Sequence, residues 1–321
     1  MKKKLVGISI RCRNEEDNVA LLTEKIICIF REELPKYDYL IQFIDNDSND
    51  NTRAILRELC GSNPNVRAIF NAGNFRASGY HGILQIDGDC CIMMVSDFQD
   101  PPELIPQFVR EWEKGKKVVC GIKTGSKERK IMWFLRTLYY KLISFFSNIN
   151  QIEHFTGFGL YDRSFIELMR QLNDTLPSMR GIVAEYGYNV SKIEFIQPER
   201  LHGKSKQSFY NLFDFAMQNI TTYTKAGLRC ATIGGAIIAV LSFITGIIYL
   251  ILKLCNWQGF SAGIIPILIG VFFLGSVQIF LIGLVGEYIM NINIRLMNKP
   301  YSVEEERVGF DENSQVKSDR V

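Results

Sequence analysis

The sequence predicts an α/β fold, a mostly parallel sheet with helices on both faces, followed by a hydrophobic helical hairpin. Three observations predict it. Residues 1–125 alternate short apolar runs with amphipathic helical patterns, the runs end in polar turns rich in Asp and Asn, and two long uncharged stretches lie back to back near the C-terminus. A βαβα alternation means parallel strands joined by right-handed crossovers, with both faces of the sheet covered.

The candidate strands are Leu5–Ile10, Tyr39–Ile44, Val66–Phe70, Cys91–Val95 and Lys117–Gly121. Between them Glu16–Phe30, Thr52–Cys60, Arg76–Gln85 and Pro102–Trp112 each carry one apolar stripe and read as helices. From Ser126 to Leu228 the pattern changes. Lys130–Phe146 and Phe209–Leu228 are aromatic-rich and strongly apolar. Two readings stay open for such segments, a core helix or an interfacial helix in the headgroup zone. Proximity to the hairpin favours the second for residues 209–228.

The hairpin follows from length. Cys230–Leu252 is a run of 23 residues without a charge, and Leu254–Gly286 carries none either. A bilayer core needs about 20 apolar residues per helix, so the expected spans are 230–252 and 263–286, within a hairpin of residues 229–290. Trp257 lies in the connection, and Lys225, Arg229, Arg295 and Lys299 flank the outer ends. The positive-inside rule then puts both termini in the cytoplasm. The tail, 291–321, is expected on the same side, and from Asn298 it is polar, charged and aperiodic, which predicts disorder.

Composition narrows the function. A net charge of +3 with scattered basic residues gives no support to a nucleic-acid partner. The eight cysteines show no CxxC, and His81, His154 and His202 form no ligand pattern with them, so no zinc site is expected. Cys90 and Cys91 read as small apolar core residues. Lys2–Lys4 precede only the short run Leu5–Ile10, less than the apolar region of a signal peptide. The N-terminal two thirds are expected to stay in the cytosol.

The chemistry concentrates in the turns. Arg11–Glu16 follows the first strand, Asp45–Thr52 the second, Asn71–Asn74 the third and Ser96–Glu103 the fourth. Open α/β sheets bind ligands outside the carboxyl ends of their strands, so all four turns share one rim. Singly they are ordinary turn and N-cap formers, and Asp97 or Asp100 could cap the Pro-initiated helix that follows. Together they suit a polar, phosphate-bearing ligand, with Asp45 or Asn46 against a base or ribose and Asp97 on a hard divalent cation.

These residues carry a resemblance. Asn14-Glu15-Glu16, Asp45–Thr52, Ser96-Asp97-Phe98-Gln99-Asp100-Pro101-Pro102-Glu103 and Arg200-Leu201-His202-Gly203-Lys204-Ser205-Lys206 resemble the motifs of inverting family 2 glycosyltransferases with a GT-A, Rossmann-like fold. More narrowly the chain is similar to the polyisoprenyl-phosphate type, that of dolichyl-phosphate mannose synthase and bactoprenol glucosyltransferase. The likeness runs from Leu5 to Met297.

The resemblance implies a GT-A domain over 1–208, an interfacial helix over 209–228 and a membrane-bound, metal-dependent enzyme. It would move a hexosyl-type sugar from a nucleotide-sugar to a polyprenyl (undecaprenyl or dolichyl) phosphate, giving a lipid-linked donor for cell-surface glycan or glycoprotein modification. Asn14, Glu15, Asp45, Asn46, Asn71, Ser96 and Asp97 would bind the nucleotide-sugar. Asp97 and Gln99 would hold Mg2+ or Mn2+, and Arg200, Ser205 and Lys206 would meet the acceptor phosphate. Asp97, Arg200 and Lys206 would carry catalysis. The implied setting is a bacterial inner membrane, with a homo-oligomer as the assembly.

A phosphate acceptor is already anionic and needs no strong base. A hydroxyl acceptor would need one, for which Glu185 is the candidate. An inactive nucleotide-sugar-binding membrane protein is the other alternative, motivated by a departure. The first Asp of the family's Asp-x-Asp is Val95 here, Asn46 replaces a second Asp of the nucleotide loop, and Arg11 and Arg13 replace Pro and Tyr. Gly157 and Gly159 stand where relatives often carry Asp and Arg.

Overall fold

The computed structural model describes residues 3–125, 152–172, 174, 177–198, 226–255 and 264–310. The first five strands follow the apolar runs: β1 (Lys4–Cys12), β2 (Tyr37–Asp45), β3 (Val66–Asn71), β4 (Cys90–Val95) and β5 (Val118–Gly125). The helices between them are α1 (Val19–Glu32), α2 (Thr52–Ser62), α3 (Ser78–Gln85) and α4 (Ile105–Glu113), the last preceded by a 3-10 turn at Pro102–Leu104. Then come β6 (Phe155–Asp162), α5 (Arg163–Gln171), α6 (Met179–Tyr186) and β7 (Val190–Ile196). Two long helices, α7 (Ala226–Cys255) and α8 (Ile264–Leu296), and a last strand, β8 (Glu304–Val308), complete the described elements.

Among the described residues the strands form one sheet of order β7-β5-β6-β4-β1-β2-β3-β8. β1 pairs in parallel with both β2 and β4, β2 with β3, and β5 with β7. β6 and β8 run antiparallel to their neighbours. Chain order reverses at β1, whose successor lies on one side and β4 on the other. That reversal is a topological switch point, where a crevice opens beyond the strand ends.

Alternation along β1 explains the two cores. Val6, Ile8, Ile10 and Cys12 face α1 and α4, meeting Leu22, Ile26, Ile105 and Phe108. The opposite face packs α3, α5 and α6 through Tyr80, Ile83, Phe165, Met169 and Ile182. There α3 lies close to the sheet because it presents glycine. A Cβ on Gly82 would stand 2.5 Å from Ser9 Oγ and 2.7 Å from Ile44 Cγ1.

The strand at Glu304–Val308 overturns the expected disorder of the tail. Its Val308, Arg307 and Glu306 stand opposite Ala68, Ile69 and Phe70 of β3. An open edge offers unpaired N–H and C=O groups, and the charges of this strand find partners on the elements beside it. Glu305 pairs with Arg53 at 2.9 Å, Glu306 with Arg57 at 2.5 Å and Glu304 with His81 at 2.5 Å. Phe310 lies under the guanidinium groups of Arg67 and Arg307.

The chain divides into two units, one holding the sheet and its covering helices, the other α7 and α8. Within α8, Phe273–Leu296 is long and apolar enough to cross a membrane, with mean hydropathy 1.7 and none of that stretch buried. Ile237, Leu241 and Ile248 of α7 and Ile279, Phe280 and Ile282 of α8 are exposed as well. The interfacial reading of residues 209–228 falls mostly outside the described residues, as does the reading of 130–146.

Candidate active site

The turns after β1 and β2 are sewn together. Asn14 takes a left-handed backbone (φ 56°), which Asn tolerates better than most residues. Its N–H donates to Ser48 Oγ at 2.8 Å, and its Oδ1 accepts from the Asn49 N–H at 2.9 Å. Glu15 N–H donates to Thr52 Oγ1 at 2.8 Å, and Glu15 Oε2 accepts from Asn18 Nδ2 at 2.6 Å.

Asp45 has no exposed surface. It accepts from Ser48 Oγ, from the Ser48 N–H at 3.2 Å and from Arg53 Nε at 2.8 Å. Arg53 Nη2 also donates to Asn71 O at 2.7 Å. Asn46 is equally buried: Nδ2 donates to Phe75 O at 3.0 Å and to Asn74 Oδ1, while Oδ1 accepts from Asn71 Nδ2 at 3.2 Å and from the Phe75 N–H at 3.0 Å. Asp45, Asn46 and Asn71 therefore lie beneath the rim and shape the loops above them. Among the described residues Asn71 Oδ1 has no hydrogen-bond partner.

The loop after β4 is the tightest part. Asp97, 5% exposed, accepts the Gln99 N–H at Oδ1 (3.1 Å), closing an Asx-turn across Phe98, whose φ is 59°. Left-handed backbone at a bulky residue is strained and clusters at functional sites. Ser96 is pinned to β1 through Oγ, which donates to Arg11 O at 3.3 Å. Neither aspartate stands at an N-cap position: those fall to Pro101 and Leu104, whose side chains make no capping bond, and Asp100 instead accepts the Val95 N–H at 3.0 Å.

Burial lifts the Asp100 carboxyl to about 7; the Val95 N–H opposes that rise, Asp97 adds to it and Lys123 opposes it. Lys123 is itself 5% exposed on β5. Because β4 and β5 are both antiparallel to β6, the C-terminal end of β5 shares the Asp97 rim. A cavity of about 460 Å³ opens there, lined by Lys123, Thr124, Glu153, His154, Lys192 and Glu194. That size suits a small ligand.

The donor set at Asp97 has the chemistry of a hard divalent-cation site. One carboxylate and the amide oxygen of Gln99 are hard donors, and a Mg2+-type ion bound through one or two carboxylates takes its remaining ligands from water and phosphate. Val95 offers none, and no group of three His, Cys, Asp or Glu gathers among the described residues. The set fits a cation that arrives with a diphosphate.

Glu185 stands on the exposed side of α6. Arg200, Ser205 and Lys206 fall outside the described residues. Burial pushes the thiols of Cys90, Cys91 and Cys120 up, to about 12 for the latter two, which keeps them as neutral core groups. Sequence reasoning missed Arg53 and Lys123. The signal for Arg53 was a basic residue in the first turn of a helix, where the macrodipole disfavours it unless an acid lies close.

Residues 8–169 match the family described as Glycosyl transferase family 2. A prophage-derived bactoprenol glucosyl transferase of Shigella flexneri is 30% identical over 303 residues, covering 92% of this chain and 96% of the relative. A prophage bactoprenol glucosyl transferase homolog of Escherichia coli (strain K12) matches with the same identity and coverage. Among solved structures, glucosyl-3-phosphoglycerate synthase from Mycobacterium tuberculosis, in complex with Mn2+, UDP-glucose and phosphoglyceric acid, aligns with a TM-score of 0.50. It is 14% identical and covers 68% of this chain and 78% of that one, a likeness of fold. The mixed sheet is that of the GT-A fold, and the chain belongs to glycosyl transferase family 2, as a glycosyltransferase.

Proposed function

We propose that the chain transfers a sugar, with inversion, from a nucleotide-sugar to a polyprenyl phosphate at a membrane surface. The observation that carries this is the union, in one chain, of the Asp97 rim with an unburied apolar helix, Phe273–Leu296. Near full-length similarity to relatives named bactoprenol glucosyl transferase supports the acceptor class.

The loops after β1 and β2 are proposed to hold the nucleotide, their mutual hydrogen bonds fixing Asn14 and Glu15. Asp97 and Gln99 would hold Mg2+ or Mn2+, which supplies charge neutralisation to the leaving diphosphate. Asp97 is oriented by the Asx-turn before any ligand arrives, so little reorganisation accompanies binding. The acceptor's phosphate oxygen is already charged, and the protein's task is to place it opposite the leaving group. Arg200, Ser205 and Lys206 are proposed for that placement, Arg suiting bidentate contact and Lys a mobile point charge. Glu185 would act as base only with a hydroxyl acceptor.

Both apolar helices are proposed to cross the bilayer, with the termini and the GT-A domain in the cytoplasm of a bacterial cell and several copies assembled together. Support for two spans comes from the uncharged lengths and the flanking basic residues. The reading is tested by incubating the detergent-purified chain with undecaprenyl phosphate, Mn2+ or Mg2+ and a panel of UDP-, GDP- and dTDP-sugars. A lipid heavier by one sugar, with the anomeric configuration opposite to the donor's, is expected. Transfer to hydroxyl acceptors alone would replace this reading.

A further inference from the structure

Arg11 stands one residue before the end of β1, at the switch point between β1 and β4. Its side chain lies on the face covered by α3, its Cδ 3.9 Å from where a Cβ on Gly79 would sit, in the first turn of that helix. The guanidinium is partly buried, and burial lowers its pKa, with the neighbouring Arg13 charge acting in the same direction. Among the described residues nothing accepts a hydrogen bond from it.

The fold treats its other inward arginines differently. Arg67, 6% exposed, donates to Gln42 Oε1 at 2.8 Å, Asp87 Oδ2 at 3.1 Å and Gln85 O at 3.1 Å. Arg53 has Asp45, Asn71 O and Glu305. A guanidinium carries five N–H donors, and withdrawing them from water without an acceptor costs free energy. A ligand oxygen beside the guanidinium would supply that acceptor.

The parallel register shows where that ligand lies. Arg11 is paired directly with Ile44 on one side and Val95 on the other, so the three side chains leave the same face. An acid at position 95 would stand beside the guanidinium and become its partner. Valine leaves it open. Ser96 N–H and Oγ both donate to Arg11 O, tying the Arg11 backbone to the Asp97 loop. The N-terminus of α3, the positive end of its dipole, lies on the same side.

We propose that Arg11 binds a substrate phosphate oxygen at the switch point, the donor's diphosphate being the source closest to Asp97. Arg11 is then a specificity-determining residue that supplies, by direct contact, positive charge beside a metal site with a single carboxylate. This rests on the sugar-transfer reading of the rim. The acceptor's monophosphate offers the same chemistry, and the experiment separates the two.

The test uses the full chain in detergent with Arg11→Met, which keeps the stem and removes the charge, and Arg11→Lys, which keeps the charge and loses the fork. UDP and GDP are titrated against UMP and GMP, with and without Mn2+, and a water-soluble prenyl phosphate is titrated separately. Thermal unfolding is followed for each variant. Arg11→Met should match or exceed the wild-type Tm, because a partly buried charge with no acceptor is gone. It should bind UDP or GDP at least tenfold more weakly while binding UMP or GMP nearly as before, and Arg11→Lys should recover part of the loss. A selective loss of prenyl phosphate affinity instead would keep the anion site and assign it to the acceptor. Unchanged affinity for every phosphate ligand overturns the proposal, and so does a fall in Tm shared by both variants with nucleotide binding lost uniformly. Because binding is read without turnover, failure of wild type to make glycolipid would count against the transfer reading alone.

Discussion

Arg53 and Asp45 form the joint on which the turn after β2 is hung: Nε of the arginine donates to Oδ2 of the fully buried aspartate at 2.8 Å. The same guanidinium reaches Glu305 Oε2 on β8 at 2.9 Å and Asn71 O at 2.7 Å. A single side chain thus couples three segments, the end of β2, the end of β3 and the C-terminal strand. Removing it strands a buried carboxylate.

Arg53→Ala is therefore expected to destabilise the sheet unit by about 3 kcal/mol, the cost of breaking a buried pair at one partner. It should also weaken nucleotide binding through the loosened Asp45–Thr52 turn. Thermal unfolding and UDP titration check both effects. A Tm within a degree of wild type would show that Asp45 finds another partner.

The C-terminal strand gives a pH dependence. Although burial acts to raise it, bonds from His81 and Arg307 carry the Glu304 carboxyl down to about 2. A carboxyl held lower in the folded than in the unfolded state contributes stability above about 4.5, and that contribution disappears as pH falls toward 2. Its size is on the order of 3 kcal/mol at most. Glu304→Gln should lower Tm near neutral pH and flatten the fall of Tm between pH 5 and 3. An identical slope in the variant would remove Glu304 from the acid transition.

Close packing of α3 is tested at Gly82. The Cβ of Gly82→Ala meets Ser9 Oγ and Ile44 at distances that force α3 outward. Overpacking of this kind costs about 1–3 kcal/mol. Since Gly79 and Arg11 share that interface, nucleotide affinity should drop with stability. Loss of neither, read by unfolding and UDP titration, would mean that α3 shifts without consequence.

Arg200→Ala is expected to slow transfer at least tenfold, about 1.4 kcal/mol of transition-state stabilisation. Steady-state rates at varied prenyl phosphate check it. Unchanged kinetics would take Arg200 out of the site.

The legible parts of the fold were those governed by burial alone. β1 to β5 read as apolar runs because strands covered on both faces need apolar residues throughout. β8, Glu-Glu-Glu-Arg-Val, was illegible because its partners are a bare strand edge and basic side chains brought by α2 and α3. β7 escaped notice for a related reason, having exposed Lys192 and Glu194 inside the strand. At the site, the four polar turns and Asp97 could be read from strand ends. Which of their side chains are buried could not: Asp45, Asn46 and Asn71 are interior, and the Arg53 bond that explains Asp45 crosses a loop.

Asp97 is the residue proposed to prepare the leaving diphosphate. The most direct measurement is glycolipid formation by Asp97→Asn and wild type under identical conditions, in detergent with undecaprenyl phosphate, a metal and the donor that wild type uses. The variant keeps the Asx-turn acceptor and the shape of the loop, so its Tm and membrane insertion should equal those of wild type, while the mass of the lipid should stay unchanged. Near-normal conversion of the lipid by a folded Asp97→Asn protein would contradict the account.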